Sequence, residues 1–467
     1  MVVGIYNTLA RKVQVFKPIE KDKVKIYTCG PTVYDYAHIG NFRAFVFADL
    51  LKRFLKFKGF EVFHVSNITD VDDKTIKNSQ KEGLSLKGFT EKYTKIFLED
   101  LKKLNIQTAD VYPRATAHIN EMIVLIEELM KKGFAYQTDD NSVYFAVKKF
   151  KDYGEFANLD MENLKAGASG RVLNDEYEKE SLNDFALWKS YSTADGDVFW
   201  DSPWGKGRPG WHIECSAMSM KYLGETFDIH TGGVDLVFPH HQNEIAQSEA
   251  STGKTFAKYW MHNEHLLVDN AKMSKSLGNM YTLKDIEARK FSFNALRYAL
   301  LATHYRQKMN FTFNSLGASK NAIERIVGFK INLKSAHSSE PEGIKRLIEK
   351  MLFDFEEALD NDLDTSKALA SLFAFIKEVN ILLAAKKVSS TDAAYALSAI
   401  DRVDSVLGIL PLYEPSAPDE VLSLMKERDL ARKNKDWKKS DELRNKIKEY
   451  GYIVEDLADG QRCKKLA

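Results

Sequence analysis

Residues 24–65 read strand, helix, strand, and that alternation limits the chain to a narrow set of folds. The run Val24-Lys25-Ile26-Tyr27-Thr28-Cys29 is an extended segment that Gly30-Pro31 ends. From Asn41 onward Phe42, Phe45, Val46, Leu50, Phe54 and Phe57 recur at spacings of three and four, and Gly59 closes the helix. Residues 61–65 (Glu-Val-Phe-His-Val) return to a strand pattern. Two strands joined by a helix lie parallel, so an α/β fold with a parallel sheet is expected. Ligands of such sheets sit at the carboxyl ends of the strands. Cys29 and the segment Asn67–Asp73 therefore belong on one rim.

The rest of the chain is organised around that unit. Ile119, Met122, Ile123, Ile126, Leu129 and Met130 predict a helix, and Tyr136 with Val143-Tyr144-Phe145 predicts a hairpin. Residues 151–199 are polar, with Gly154, Gly167 and Gly170, and read as part of an insertion. The sheet resumes near Thr226–Thr231, before Gly232-Gly233. From about Lys320 helical periodicity predicts a bundle. Pro411, Pro415 and Pro418 mark a linker, and 419–467 form a separate small unit. No run of about 18 apolar residues predicts a membrane span, and the N-terminus has no secretory pattern. Three cysteines exclude a disulfide scaffold and suggest a reducing compartment. The net charge of +1 excludes a global field for nucleic acid, so any basic footprint is local.

Two loops carry phosphate chemistry. Pro31-Thr-Val-Tyr-Asp-Tyr-Ala-His38-Ile-Gly40-Asn41 joins the first strand to its helix. A helix N-terminus offers free N–H groups and a positive dipole end, and Gly40 allows close approach of a nucleotide. A loop histidine beside a turn glycine is an equal alternative on these residues alone. Lys272-Met273-Ser274-Lys275-Ser276-Leu277-Gly278-Asn279 follows a strand at 266–268. Its two lysines could grip a polyphosphate as point charges, or it is a solvated basic loop. A third segment, Gly232–Glu244, puts His240 and Glu244 four residues apart after Pro239. With Cys29 and Cys215 they make a plausible tetrahedral zinc set, although small buried thiols and a solvated helix start explain the same residues.

Together the two phosphate loops resemble the nucleotide motifs of class I aminoacyl-tRNA synthetases. The blocks Tyr27–Arg43, Asn67–Lys74, Gly207–Ser216, Gly232–Ser248 and Lys272–Asn279 resemble the cysteinyl-tRNA synthetase family, over essentially the whole chain. That resemblance implies a Rossmann-like parallel-sheet catalytic domain in two halves, 1–118 and 200–258, split by a connective insertion at 119–199. It implies a region at 259–320 that carries the lysine loop and contacts the tRNA stem. A helical bundle at 321–410 and an anticodon-binding unit at 419–467 follow. The implied reaction activates L-cysteine with ATP and transfers it to tRNA(Cys). Catalytic roles fall to His38, Lys272 and Lys275, and ATP contacts to His38, Gly40, Asn41, Asp235, Lys272 and Lys275. One zinc ion would be held by Cys29, Cys215, His240 and Glu244, with Mg²⁺ accompanying ATP. Cys29, Thr69 and Trp211 would shape the cysteine pocket. A zinc–thiolate contact separates cysteine from serine by more than the ~10²-fold an apolar pocket manages, so no editing domain is expected.

Residues 426–448 hold ten Lys/Arg and five Asp/Glu, a local net charge of +5. This fits an amphipathic solvated helix, or a surface tracking phosphates. The resemblance implies that Arg432, Trp437, Asp441 and Asp456 read the anticodon. The sequence departs from the family pattern at Asn41, where class I enzymes often have His, at Gln242, usually Glu, and at Cys463, usually Trp. A cytoplasmic monomer is expected. The alternatives are a ligase joining cysteine to a small amine and a non-catalytic, zinc-dependent RNA-binding protein.

Overall fold

The computed structural model describes residues 2–159, 184–411, 418–457 and 460–465. Part of the polar stretch with Gly167 and Gly170, and most of the 411–418 linker, lie outside them. The chain forms two compact units, Met1–Ile409 and Leu410–Ala467.

The first unit opens with a hairpin of β1 (Gly4–Asn7) and β2 (Lys12–Val15). β3 (Lys23–Thr28), helix α1 (Ile39–Phe57) and β4 (Glu61–Ser66) form the expected unit, with β3 and β4 parallel. α1 starts two residues before the periodicity does, because His38 caps it. The Asn41 amide donates to His38 Nδ1 at 3.2 Å, and the His38 amide donates back to Asn41 Oδ1 at 3.0 Å. Helices α2 (Asp73–Lys81) and α3 (Leu86–Lys103) follow, then α4 (Ile119–Lys131).

An antiparallel sheet in the order β5 (Ala135–Gln137), β6 (Val143–Phe145), β7 (Phe185–Ser190), β8 (Gly207–Pro209) interrupts the α/β layer. β8 lies inside the stretch read from sequence as resumed core; three residues are too few to show a period. The core sheet is completed by β9 (Phe227–Gly233) and β10 (Ala257–Asn263), in the order β10-β9-β3-β4, with every pairing parallel. Its strands are buried towards their carboxyl ends, where Tyr27, Val65, His230 and Trp260 are all enclosed. A small sheet of β11 (Leu266–Val268), β12 (Ala271–Lys272) and β13 (Met309–Phe311) presents the lysine loop. The bundle helices are Phe313–Lys334, Lys345–Asp360, Thr365–Ala384 and Ser390–Leu407. The first of them begins before the periodicity near Lys320 suggests.

The second unit pairs helices Asp419–Lys433 and Trp437–Glu449 with a hairpin of β14 (Tyr452–Leu457) and β15 (Gly460–Lys465). Among the described residues, no helix is long and apolar enough to cross a membrane.

One buried ion pair ties α1 to the helical part of the first unit. Arg297, with no solvent exposure, donates Nη2 to Asp49 on α1 at 2.5 Å. Its Nε and Nη1 reach the carbonyls of Leu407 at 2.7 Å and Leu104 at 3.1 Å. Losing Arg297 removes that donor from the buried carbonyls of Leu407 and Leu104 and leaves Asp49 with Arg53 Nε, at 2.8 Å, and the Gln107 amide. Arg297→Met is expected to lower the unfolding free energy by about 3–5 kcal/mol, measured by urea denaturation. A loss under about 1 kcal/mol would contradict this role.

Candidate active site and metal centre

The carboxyl ends of β3, β4, β9 and β10 converge on one rim, and Cys29, Cys215 and several histidines collect there. Cys29 follows β3 directly, and Gly30 brings that loop against the end of β4. A Cβ on Gly30 would lie 1.6 Å from the Asn67 carbonyl oxygen, so only glycine fits. The Gly30 amide donates to Asn67 Oδ1 at 2.8 Å. Cys215 stands on the helix Trp211–Leu223, and Glu244 on the helix Gln242–Thr252, which a wide turn at Val237–His241 precedes. That turn delivers His240.

Cys29, Cys215, His240 and Glu244 present donor atoms that all lie within 4.8 Å of one another. The two sulfurs are 3.9 Å apart, and His240 Nε2 is 3.0 Å from Glu244 Oε1. A tetrahedron with Zn–S bonds of about 2.3 Å has an edge of about 3.8 Å, so the spacing suits that ion. Burial pushes the Cys215 thiol up, but its hydrogen bond with Cys29 and the adjacent His240 bring it down to about 6. Burial works against His240 too, yet Glu244 and Cys215 raise it to about 10. Burial would raise Glu244, but His230 and His240 hold it near 2. Cys29 goes the other way, raised by burial and by Cys215 and Glu244. The site is thus an anionic nest whose centre already attracts positive charge.

Around these four stands a shell the sequence reading missed. His230 Nε2 lies 2.9 Å from Glu244 Oε2, and His212 Nδ1 lies 2.9 Å from His240 Nδ1. His241 Nε2 is 3.3 Å from Cys29 Sγ, and His241 Nδ1 is 2.7 Å from His262 Nε2. Cys29, His230, His241 and Glu244 are a second grouping within 4.8 Å, sharing two members with the first. The first has two soft thiols, which suit zinc better. Five of the 11 histidines fall between 212 and 262, and that crowding was the available signal.

The expected pocket residues flank this centre. The Trp211 ring stacks on His240 with centroids 4.0 Å apart. Thr69 is buried and donates to Glu214 Oε2 at 2.9 Å, while Asn67 Nδ2 donates to Thr69 Oγ1 at 3.1 Å. Asp235 is exposed on the turn after β9 and pulls on His38 electrostatically. Ile39 N donates to the Tyr281 carbonyl at 2.8 Å, which brings the two phosphate loops together. Lys272 and Lys275 are exposed, and the loop is closed by Asn279, which accepts from the Ser274 amide at 2.8 Å and donates to the Lys272 carbonyl at 3.2 Å.

In the second unit the Arg432 guanidinium lies 5.8 Å from the Trp437 ring centre, and that ring is 57% exposed. Asp441 is exposed one turn further along the same helix, and Asp456 stands opposite Gln461 in the hairpin. Cys463 packs against a small core of Val421, Ile447, Tyr452 and Val454, and burial raises its thiol. An apolar, raised thiol is a packing residue more than a redox one.

The comparisons decide among the alternatives. The model for the class I (C) tRNA synthetase catalytic domain matches residues 15–321. A DALR domain matches 354–411, and the cysteinyl-tRNA ligase anticodon-binding domain matches 414–463. Cysteine–tRNA ligase of Chlamydia abortus is 48% identical over 466 residues, covering 99% of this chain and 97% of that one. That of Brachyspira hyodysenteriae is 49% identical over 473 residues, covering 99% of each.

The chain belongs to the cysteine–tRNA ligase family.

It is accordingly an ATP-dependent aminoacyl-tRNA ligase with the class I fold, whose substrates are ATP, an amino acid and tRNA. Solved structures show that fold at low identity. Mycobacterium tuberculosis methionyl-tRNA synthetase bound to methionyl-adenylate gives a TM-score of 0.59 at 14% identity, over 84% of this chain and 90% of that one. A ternary LeuRS–tRNA–LeuAMS complex from Agrobacterium radiobacter gives 0.60 at 11%, over 84% and 85%.

His38 in this ligase is half-buried, and burial lowers its pKa to about 4 against the opposing pull of Asp235. The ring is therefore neutral at pH 7. Since the folded value lies below the unfolded one, its contribution to stability is complete above about pH 6.5 and is lost as the pH falls towards 4. An NMR titration is expected to give a midpoint near 4 for the His38 ring; a midpoint near 6.5 would contradict this.

Proposed function

We propose that the chain activates L-cysteine with ATP to cysteinyl-adenylate and pyrophosphate, then passes cysteine to the 3′-terminal ribose of tRNA(Cys). One zinc ion would be held by Cys29, Cys215, His240 and Glu244. The observation that carries this reading is the gathering of four donors, two of them thiols and all but Cys29 buried, at the carboxyl rim of the parallel sheet. When bound, zinc favours a sulfur ligand over a hydroxyl and so separates cysteine from serine.

The chain's own residues do the rest. Trp211 walls the pocket and holds His240 in place by stacking. Asn67 and Thr69 fix the floor beside Cys215. The cysteine carboxylate attacks the α-phosphorus of ATP, the bond to the bridging oxygen breaks, and pyrophosphate leaves with that electron pair. Neutral His38 donates an N–H to a phosphate oxygen, and the N-terminus of α1 adds its dipole. Gly40 and Asn41 shape the nucleotide's approach, and Asp235 faces His38 across it. Lys272 and Lys275 neutralise the leaving pyrophosphate, with Mg²⁺ expected on ATP. Arg432, Trp437, Asp441 and Asp456 would contact the anticodon, an exposed ring beside a cation being suited to stacking a base. The anticodon-binding domain match favours tRNA over a small amine as acceptor. A cytoplasmic, monomeric enzyme fits this reading.

Cysteine-dependent ATP–pyrophosphate exchange tests the activation step. Exchange is expected with cysteine and, at equal concentration, at least about 10³-fold less with serine. Comparable exchange with both would overturn zinc-based selection. Lys275→Ala is expected to lower the activation kcat by about 10²–10³ while leaving the cysteine Kd unchanged. A large loss of cysteine binding would contradict the assignment.

A further inference from the structure

The lysine loop does not hang free. Lys275 Nζ donates to Asp35 Oδ2 at 2.7 Å, joining residues 240 positions apart across the nucleotide cleft. The same ammonium lies 5.7 Å from the ring centre of Tyr34, over which Lys74 also stands at 5.4 Å. The Met273 methyl covers Gly40: a Cβ built there would lie 2.2 Å from it. Gly40 is the position that lets a nucleotide approach the start of α1. At the foot of the loop, Lys284 Nζ donates to the Tyr36 hydroxyl at 2.8 Å. The base is thus anchored, while the tip is held by one ion pair, the contact of the same ammonium with the Tyr34 ring and one methyl contact.

We propose that Asp35 is a positioning residue, an internal anion that latches the loop tip over Gly40 until the phosphates of ATP take Lys275 from it. The inference rests on the reading of Lys275 as a phosphate ligand. Asp35 offers the ammonium the same class of partner as a phosphate oxygen, at the same side of the cleft. ATP entry breaks the Lys275–Asp35 pair and lifts Met273 from Gly40. After activation the carboxylate recaptures Lys275 and so helps pyrophosphate depart. The pair is exposed, with side chains 68% and 43% accessible, so its grip is weak enough to yield to a polyphosphate.

The test is equilibrium binding of the ATP analogue with a methylene between its α- and β-phosphorus, with Mg²⁺, to the zinc-loaded full chain by calorimetry. Asp35→Asn removes the competing charge and keeps the shape. The analogue's Kd is expected to fall about two- to fivefold at low salt, the range an exposed ion pair can impose. The difference is expected to vanish in 1 M salt, and the cysteine Kd to stay unchanged. In the exchange assay pyrophosphate should inhibit the variant more tightly by the same factor. An unchanged or weaker analogue Kd overturns the latch, and so does weakening of both substrates together, which marks a structural role. Lys275→Ala separates the two levels. If it leaves analogue binding intact, the phosphate role of the loop fails; if it weakens binding while Asp35→Asn changes nothing, only the latch fails.

Discussion

A carboxylate without solvent exposure stands at the centre of this molecule. Glu244 is fully buried, and a buried charge costs several kcal/mol unless it is paired and hydrogen-bonded. His230 and His240 meet its two oxygens, and Cys29 and Cys215 close the other side. The surrounding fold supplies these partners from two strands, one helix and the turn that leads into the helix of Glu244 itself. Cys29 follows β3, His230 lies on β9, the helix from Trp211 brings Cys215, and the turn Val237–His241 brings His240 to the helix that carries Glu244. The parallel order β10-β9-β3-β4 is what allows chain segments some 200 residues apart to share one rim. A divalent cation would relieve the same electrostatic problem that the histidines address, which is why a donor set and a stable fold coincide here.

The nucleotide side is built on a second constraint, the capped start of α1. His38 and Asn41 exchange hydrogen bonds through their backbone amides and side chains, so the departure at Asn41 preserves the cap. The cap fixes His38 against the dipole end of α1, and the contacts of Ile39 and Tyr36 with the second loop fix the distance between the two loops. In the proposed function, sulfur selection and phosphate handling share the carboxyl rim of one sheet while using separate residues. Activation needs both partners of the reaction held on that rim at once.

Much of this was legible in the sequence. The period of Phe42 to Phe57 predicted α1, and the break at Gly30-Pro31 put Cys29 at a strand end. The four-residue step from His240 to Glu244 predicted a shared face, which their 3.0 Å separation bears out. Spacing alone could not choose the metal set, since its members come from distant segments; family likeness supplied that choice. The histidine crowding between 212 and 262 was the only trace of the shell in the sequence, because His230 and His262 sit in parallel strands where the pattern reports burial and not partners. The Lys275–Asp35 contact was invisible for a different reason: exposed ion pairs leave no periodic trace. β8 was too short to register, and α1 began earlier than its apolar face because a cap, not a core residue, defines its start.

The most direct measurement of zinc-based recognition is X-ray absorption at the zinc edge of the loaded enzyme, before and after cysteine is added. Two sulfur neighbours, Cys29 and Cys215, are expected, rising to three with the substrate thiol bound. A shell that stays at two sulfurs with cysteine saturating the site would contradict direct recognition of the thiol by the metal.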